Sequence, residues 1–207
     1  MLVRDPAGGV TVLWIDGNVT AKRWSAVDGW ERPLRVGATT HPYWSLAAAA
    51  DSGGNITAVW AGNQNGTATL WSSSLSAGGA WSPPVVIANA SMGMIAYLHV
   101  AVSPDGHAWA VWLENDNIGW PGCRCLRAAS FSPGAGWSAA QVLAAQPYQS
   151  EVEPSVAALS DSRAMVVWLE GGANQSRIRT VVGDFAGHWE NSTDGAVAAA
   201  GSILKPV

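Results

Sequence analysis

One phrase recurs four times along this chain and limits its possible folds more than any other feature: a turn-forming stretch followed by an apolar run that ends in tryptophan. Asp5-Pro-Ala-Gly-Gly-Val-Thr-Val-Leu-Trp14 is matched in order and spacing by Asp51-Ser-Gly-Gly-Asn-Ile-Thr-Ala-Val-Trp60, and the stretches Asp105 to Trp112 and Asp161 to Trp168 keep the same two parts. A second tryptophan closes each copy, at Trp30, Trp81, Trp137 and Trp189, behind Gly-rich or polar turns. Self-similarity at a period of roughly 50 residues means one supersecondary unit that buries its apolar face only by stacking on its neighbours.

Each copy reads as strands. A lead-in such as Leu98-His-Val-Ala-Val or Pro154-Ser-Val-Ala-Ala-Leu forms an inner strand, the Asp/Gly turn reverses it, and a second strand ends at the repeat Trp. Third strands begin near Thr69, Arg124 and Arg177, and a fourth begins at the second Trp. The second strands are apolar on both faces, with Val10, Val12 and Trp14 opposite Thr11 and Leu13, so both faces of each sheet are covered. A sandwich with one wet face would alternate more cleanly, and no sustained 3.6-residue period supports a helical solenoid.

The expected fold is therefore all-β: a β-propeller-type array of four four-stranded antiparallel blades, either a small closed ring or a fragment of a larger propeller. The expected units are 1–40, 41–94, 95–150 and 151–200 of one repeat domain, with 201–207 resembling the start of a further inner strand. Both ends fall in the same phase of the repeat. The tail can pair beside the first inner strand, or further blades of the same parent chain can follow.

Composition narrows the partners. Eleven basic against fifteen acidic side chains give a net charge of −4, the wrong sign for a nucleic-acid surface. No apolar run reaches the roughly 18 residues of a membrane span, so membrane insertion is not expected. Cys123 and Cys125 are too few for a zinc site and awkwardly spaced for a disulfide, and they read as structural or incidental thiols. The four histidines show no ligand spacing, so neither metal nor cofactor is expected.

In an array of this kind, the loops between second and third strands gather at one end with the connections between units. The position two after the repeat Trp is acidic in three units, as Asp16, Glu114 and Glu170, with Gly62 in the remaining one. The connections add His41 and Tyr43, then Tyr97 and His99, then Tyr148 and Glu153, while Trp120 sits in the longest loop. Carboxylates beside aromatic faces suit a carbohydrate, which offers C–H faces to stack and hydroxyls to bond. The same acids also read as solvated loop carboxylates or turn formers. Arg23, Arg127 and Arg179 recur on third strands, either as solvated arginines or as an anion clamp. Six Asn-x-Ser/Thr sequons, at Asn18, Asn55, Asn65, Asn89, Asn174 and Asn191, fit either turn chemistry or a secreted glycoprotein.

The Trp-rich tandem units resemble the propeller repeats of secreted, mostly bacterial proteins, broadly of the sialidase-like and Asp-box superfamily. Ser103-Pro-Asp-Gly-His-Ala-Trp109 is similar to an Asp-box, with its Gly one place early and the Thr missing. The resemblance implies a propeller fold and an extracellular or cell-surface setting, but it transfers no arginine triad or Tyr/Glu pair onto this chain. The leading functional reading is a non-catalytic binding propeller that recognises carbohydrate or protein through its loop-rich face. The alternatives are a glycoside hydrolase or lyase using Glu114 and Glu170, and a structural fragment of a larger secreted propeller protein.

Overall fold

The computed structural model describes residues 1–39, 45–90, 94–115, 124–146, 154–159, 162–172 and 175–199. Four antiparallel sheets follow one another along the chain, with no helix among the described residues. The first sheet holds β1 (Leu2–Arg4), β2 (Val10–Ile15) and β3 (Asn18–Ser25), with an outer strand split into β4 (Gly29–Trp30) and β5 (Leu34–Ala38). The second is β6 (Leu46–Ala50), β7 (Ile56–Gln64), β8 (Thr67–Leu75) and β9 (Val85–Ala90). The third is β10 (Met94–Val102), β11 (Ala108–Asn115) and β12 (Arg124–Ser132), with β13 (Gly136–Trp137) and β14 (Gln141–Gln146) outside it. The fourth is β15 (Ser155–Ala158), β16 (Arg163–Gly172), β17 (Gln175–Asp184) and β18 (Thr193–Ala199). Each sheet is a meander running from inner to outer strand, so the chain is an all-β array of four propeller-type blades.

The repeat holds down to single hydrogen bonds. In the first turn the amides of Asp5, Asp51, Ser103 and Leu159 donate to the carbonyls of Gly9, Asn55, His107 and Arg163 at 2.7–2.9 Å. Three residues into that turn the backbone is left-handed, at Gly8 (φ 87°), Gly54 (83°), Gly106 (87°) and Ser162 (61°). Aligning the units on Asp105 and Asp161 therefore puts two of them two residues out of register. The turn is defined by its backbone bonds and its left-handed residue, and Ser103 fills the aspartate's place by donating its hydroxyl to Asp105 and to the carbonyl of His107.

A second fourfold contact follows the closing Trp. The amides of Glu31, Ser82, Ser138 and Glu190 donate to the carbonyls of Arg23, Ser74, Ser130 and Val182 at 2.7–2.9 Å. Each pair thus stands directly opposite across the outer edge of its third strand, and the two side chains share a face.

The core lies between sheets. Leu13, Val19 and Val36 pack with Ile56, Ala58 and Trp60; Val59 and Leu70 with Ala110 and Trp112; and Val111 and Leu126 with Val166 and Trp168. Trp60, Trp112 and Trp168 therefore reach back onto the preceding unit. Trp60 lies on Gly37, where a Cβ would collide with the indole. Among the described residues no core cluster joins the fourth sheet to the first. Trp30 is 53% exposed, whereas Trp60, Trp112 and Trp168 are at most 2% exposed.

The reading of the cysteines as thiols is corrected at Cys125, which is disulfide-bonded. Residues two apart on an extended chain project to one side with Cα atoms roughly 6.5 Å apart, within bridging range. Cys123, the chain's only other cysteine, lies outside the described residues.

Candidate functional site

At the hairpin end of the units, the three acids two places beyond the repeat Trp are each engaged by their own sheet. Asp16 accepts from the Trp14 indole at 2.9 Å and from the Thr20 hydroxyl at 3.3 Å. Glu114 pairs with Arg127, and Glu170 lies 3.5 Å from both Arg177 and Arg179. The register explains the pattern: Thr20, Trp71, Arg127 and Arg179 all stand opposite the repeat Trp on the third strand. Where that residue is arginine the neighbouring acid is glutamate, and where it is Trp71 the acid is replaced by Gly62, where a Cβ would come within 3.1 Å of the indole.

Arg23 does not belong to that series. It stands opposite Thr11, at the other end of the strand, so the third-strand arginines form no single ring.

Tyr97 and His99 are exposed on the inner strand β10, where a bulge interrupts pairing between Ala96 and His99 and turns Tyr97 to a φ of 50°. Tyr97 edges an open groove of about 480 Å³ with Ser45, Leu46 and Met94. His41, Tyr43, Trp120, Tyr148 and Glu153 lie outside the described residues. The hairpin end thus brings Tyr97 near the end of β11 that carries Glu114, whose register partner is Ile95. Among the described residues no group of three or more His, Cys, Asp or Glu is placed to hold a metal ion.

A different constellation forms at the opposite end, in the crevice between the first and second sheets. A recess of about 100 Å³ is lined by Thr11, Arg23, Glu31 and Arg32 of unit one and by Gly79 and Trp81, among others, of unit two. Arg23 is anchored from below: its guanidinium bonds Asp5 at 3.0 Å, and Asp5 also accepts from the Gly9 amide at 2.8 Å. Burial pushes the Asp5 carboxyl up, but the Arg23 hydrogen bond and charge, with the amides of Gly9 and Ala7, outweigh it and hold the group below its ordinary value. The Nε of Arg23 is buried and has no acceptor. Glu31, directly across the strand edge from Arg23, is exposed.

A fixed guanidinium, a free-standing carboxylate and an indole around one small recess form a donor, an acceptor and an apolar face. That is the complement of a sugar ring with its hydroxyls and C–H surface. Sequence reasoning missed this group because its members come from two units and read singly as strand and turn residues. One signal was present: Arg23 and Glu31 are eight apart, as are Ser74 and Ser82, yet only the first pair is charged.

No family model matches this chain. No curated protein matches it either. Solved structures do share its fold. An ulvan lyase of a polysaccharide-lyase family superposes with a TM-score of 0.69 at 10% identity, over 96% of this chain and 56% of its own. A Hadza microbial sialidase gives 0.55 at 15% identity, over 92% and 45%, and a fucose-specific lectin from Aleuria aurantia gives 0.53 at 13%, over 94% and 59%. The chain spans about half the length of these structures, and at such identities the likeness is one of propeller-type fold.

Proposed function

We propose that this protein is a non-catalytic carbohydrate-binding propeller, and that the recess between its first and second units takes one sugar residue. The observation that carries this is the grouping of Arg23, Glu31 and Trp81 around that recess. In this reading the Arg23 fork donates to sugar oxygens, Glu31 accepts from hydroxyls and Trp81 stacks on the ring's C–H face. The recess is far smaller than the several hundred Å³ of a pocket that encloses a drug-sized ligand, which fits a single residue at a chain end. The fold neighbours support the ligand class, since they are named as a lyase of the polysaccharide ulvan, a sialidase and a fucose-specific lectin.

The disulfide at Cys125 and the six sequons support an oxidising, extracytoplasmic setting. The unit boundaries at 40, 94 and 150 and membership of a larger secreted protein belong to the same proposal.

A glycan array followed by calorimetric titration of the best hit tests it. Glu31→Gln is expected to weaken binding about tenfold with no change in folding, because it removes one charge-assisted bond at an exposed position. An array without hits, or affinity indifferent to both Glu31→Gln and Arg23→Lys, overturns the proposal.

A further inference from the structure

The charges around the recess between the first and second sheets are unevenly shared. Its ionisable side chains, Arg23, Glu31 and Arg32, all come from the first sheet and the loop behind Trp30. The second sheet lends Leu75, Gly78, Gly79 and Trp81, none of which carries a charge. Residues 41–94 in fact contain one Asp and no Lys, Arg or Glu, and that Asp51 is engaged by the amide and side chain of Asn55. Two guanidinium groups therefore outnumber one carboxylate at the opening.

In the third and fourth sheets each such arginine is matched by a glutamate: Arg127 pairs with Glu114, Arg177 and Arg179 with Glu170, and Arg163 with Glu190. The recess lacks that balance. Arg32 is exposed and forms no ion pair with any described residue, and the same holds for Glu31 beside it. Arg23 does have a partner in Asp5, but an arginine fork carries five N–H donors and Asp5 engages one nitrogen, while itself accepting from the Gly9 amide as well. The wider field points the same way. Arg4, Lys22, Arg23, Arg32 and Arg35 give residues 1–39 five basic side chains against four acidic ones, in a chain whose net charge is −4. An anion approaching this chain is drawn to that region and repelled elsewhere.

We propose that the recess selects an acidic sugar, one bearing a carboxylate or a sulfate, and that Arg32 together with the remaining donors of the Arg23 fork holds the anion. This rests on the carbohydrate-binding function proposed above and names the ligand class within it. A planar guanidinium matches the paired oxygens of such a group, and charge-assisted bonds are roughly twice as strong as neutral ones. Trp81 keeps its part as the stacking surface and Glu31 as the acceptor for a hydroxyl. Selectivity is then a difference between two affinities, set by a guanidinium that has no other partner.

Calorimetric titration with three oligosaccharides of equal length tests the selection: a uronic-acid oligomer, its methyl ester, which keeps the rings and removes the charge, and a sulfated oligomer. At least one acidic form is expected to bind about tenfold more tightly than the ester, and the preferred one tells carboxylate from sulfate. The preference is expected to shrink at about 0.5 M salt. Arg32→Gln, at an exposed position that leaves folding intact, is expected to remove most of the preference, and Arg32→Lys to keep part of it, because an ammonium retains the charge without the fork. Equal affinity for the ester and both acids, or a preference untouched by Arg32→Gln, overturns the inference and leaves sugar binding standing. Failure of all three to bind while other sugars register on a glycan array overturns it in the same way. An array without any hit removes the proposed function itself, and the selection with it.

Discussion

The junction between units one and two and the junction between units two and three share a backbone down to individual hydrogen bonds, yet they present opposite chemistry. In the first, Arg23 and Glu31 face each other across the strand edge; in the second, Ser74 and Ser82 hold those places, and the Ser82 hydroxyl accepts from the Ser74 amide at 3.0 Å. The third junction repeats the serine version, with Ser138 accepting from the Ser130 amide at 3.0 Å. One pair of side chains thus separates a sealed seam from a charged recess. The fold supplies a position at each junction, and the side chains placed there decide whether it becomes a site.

The largest effect expected from disturbing this comparison lies beneath it. Gly37→Leu drives a side chain into the Trp60 indole and is expected to cost about 3 kcal/mol by overpacking, measured by chemical denaturation. Ala88→Leu, at the same register one junction on, starts from a residue that already carries a Cβ and is expected to cost less. Equal losses would mean that the two junctions are not packed alike.

Next in size is the anchor of the recess. Arg23→Met leaves Asp5, 5% exposed, without its guanidinium and is expected to cost about 2 kcal/mol as well as sugar affinity. The pH dependence sharpens the point. Asp5 has a folded pKa below its unfolded one, so its contribution is fully present at neutral pH and is lost as pH falls below about 4, through the folded value. Thermal melts across the acid range are expected to show the gap between parent and variant closing as pH falls, because only the parent has this contribution to lose there. A gap that stays constant into acid would mean that the Asp5–Arg23 pair is not what holds the turn.

Much of the fold was legible because its signals are local. Asn65-Gly66 is a two-residue hairpin turn with both residues left-handed, at φ values of 52° and 84°, as that dipeptide demands. The two-faced apolar second strands announced sheets stacked on both sides. What stayed hidden depends on register and on neighbours. Ser103 stands where the first two turns have an aspartate and donates to the His107 carbonyl instead of accepting an amide, so alignment on Asp105 slipped by two residues. Glu114 and Glu170 read as loop acids beside aromatic faces, but the arginines that hold them lie one strand away, in a register that only the hairpin length defines. The recess itself joins Arg23 and Glu31 to Trp81 of the following unit, and a repeat period does not say which faces meet. Tyr97 was legible as a connection residue, while the bulge that exposes it was not.

The smallest expected effects give the sharpest contrast, because they separate structure from binding at one register. Ser82 spends its hydroxyl on the backbone of its own sheet, so Ser82→Ala is expected to lower stability by about 1 kcal/mol and leave sugar affinity unchanged. Glu31 occupies the matching place with an exposed carboxylate, so Glu31→Ala is expected to leave the denaturation midpoint within about 0.5 kcal/mol while weakening sugar binding. Denaturation curves and titrations of the two variants, set side by side, read this crossing directly. If Glu31→Ala destabilises the chain as Ser82→Ala does, the carboxylate is a structural cap like its serine counterparts, and the first junction loses its claim to be different from the second.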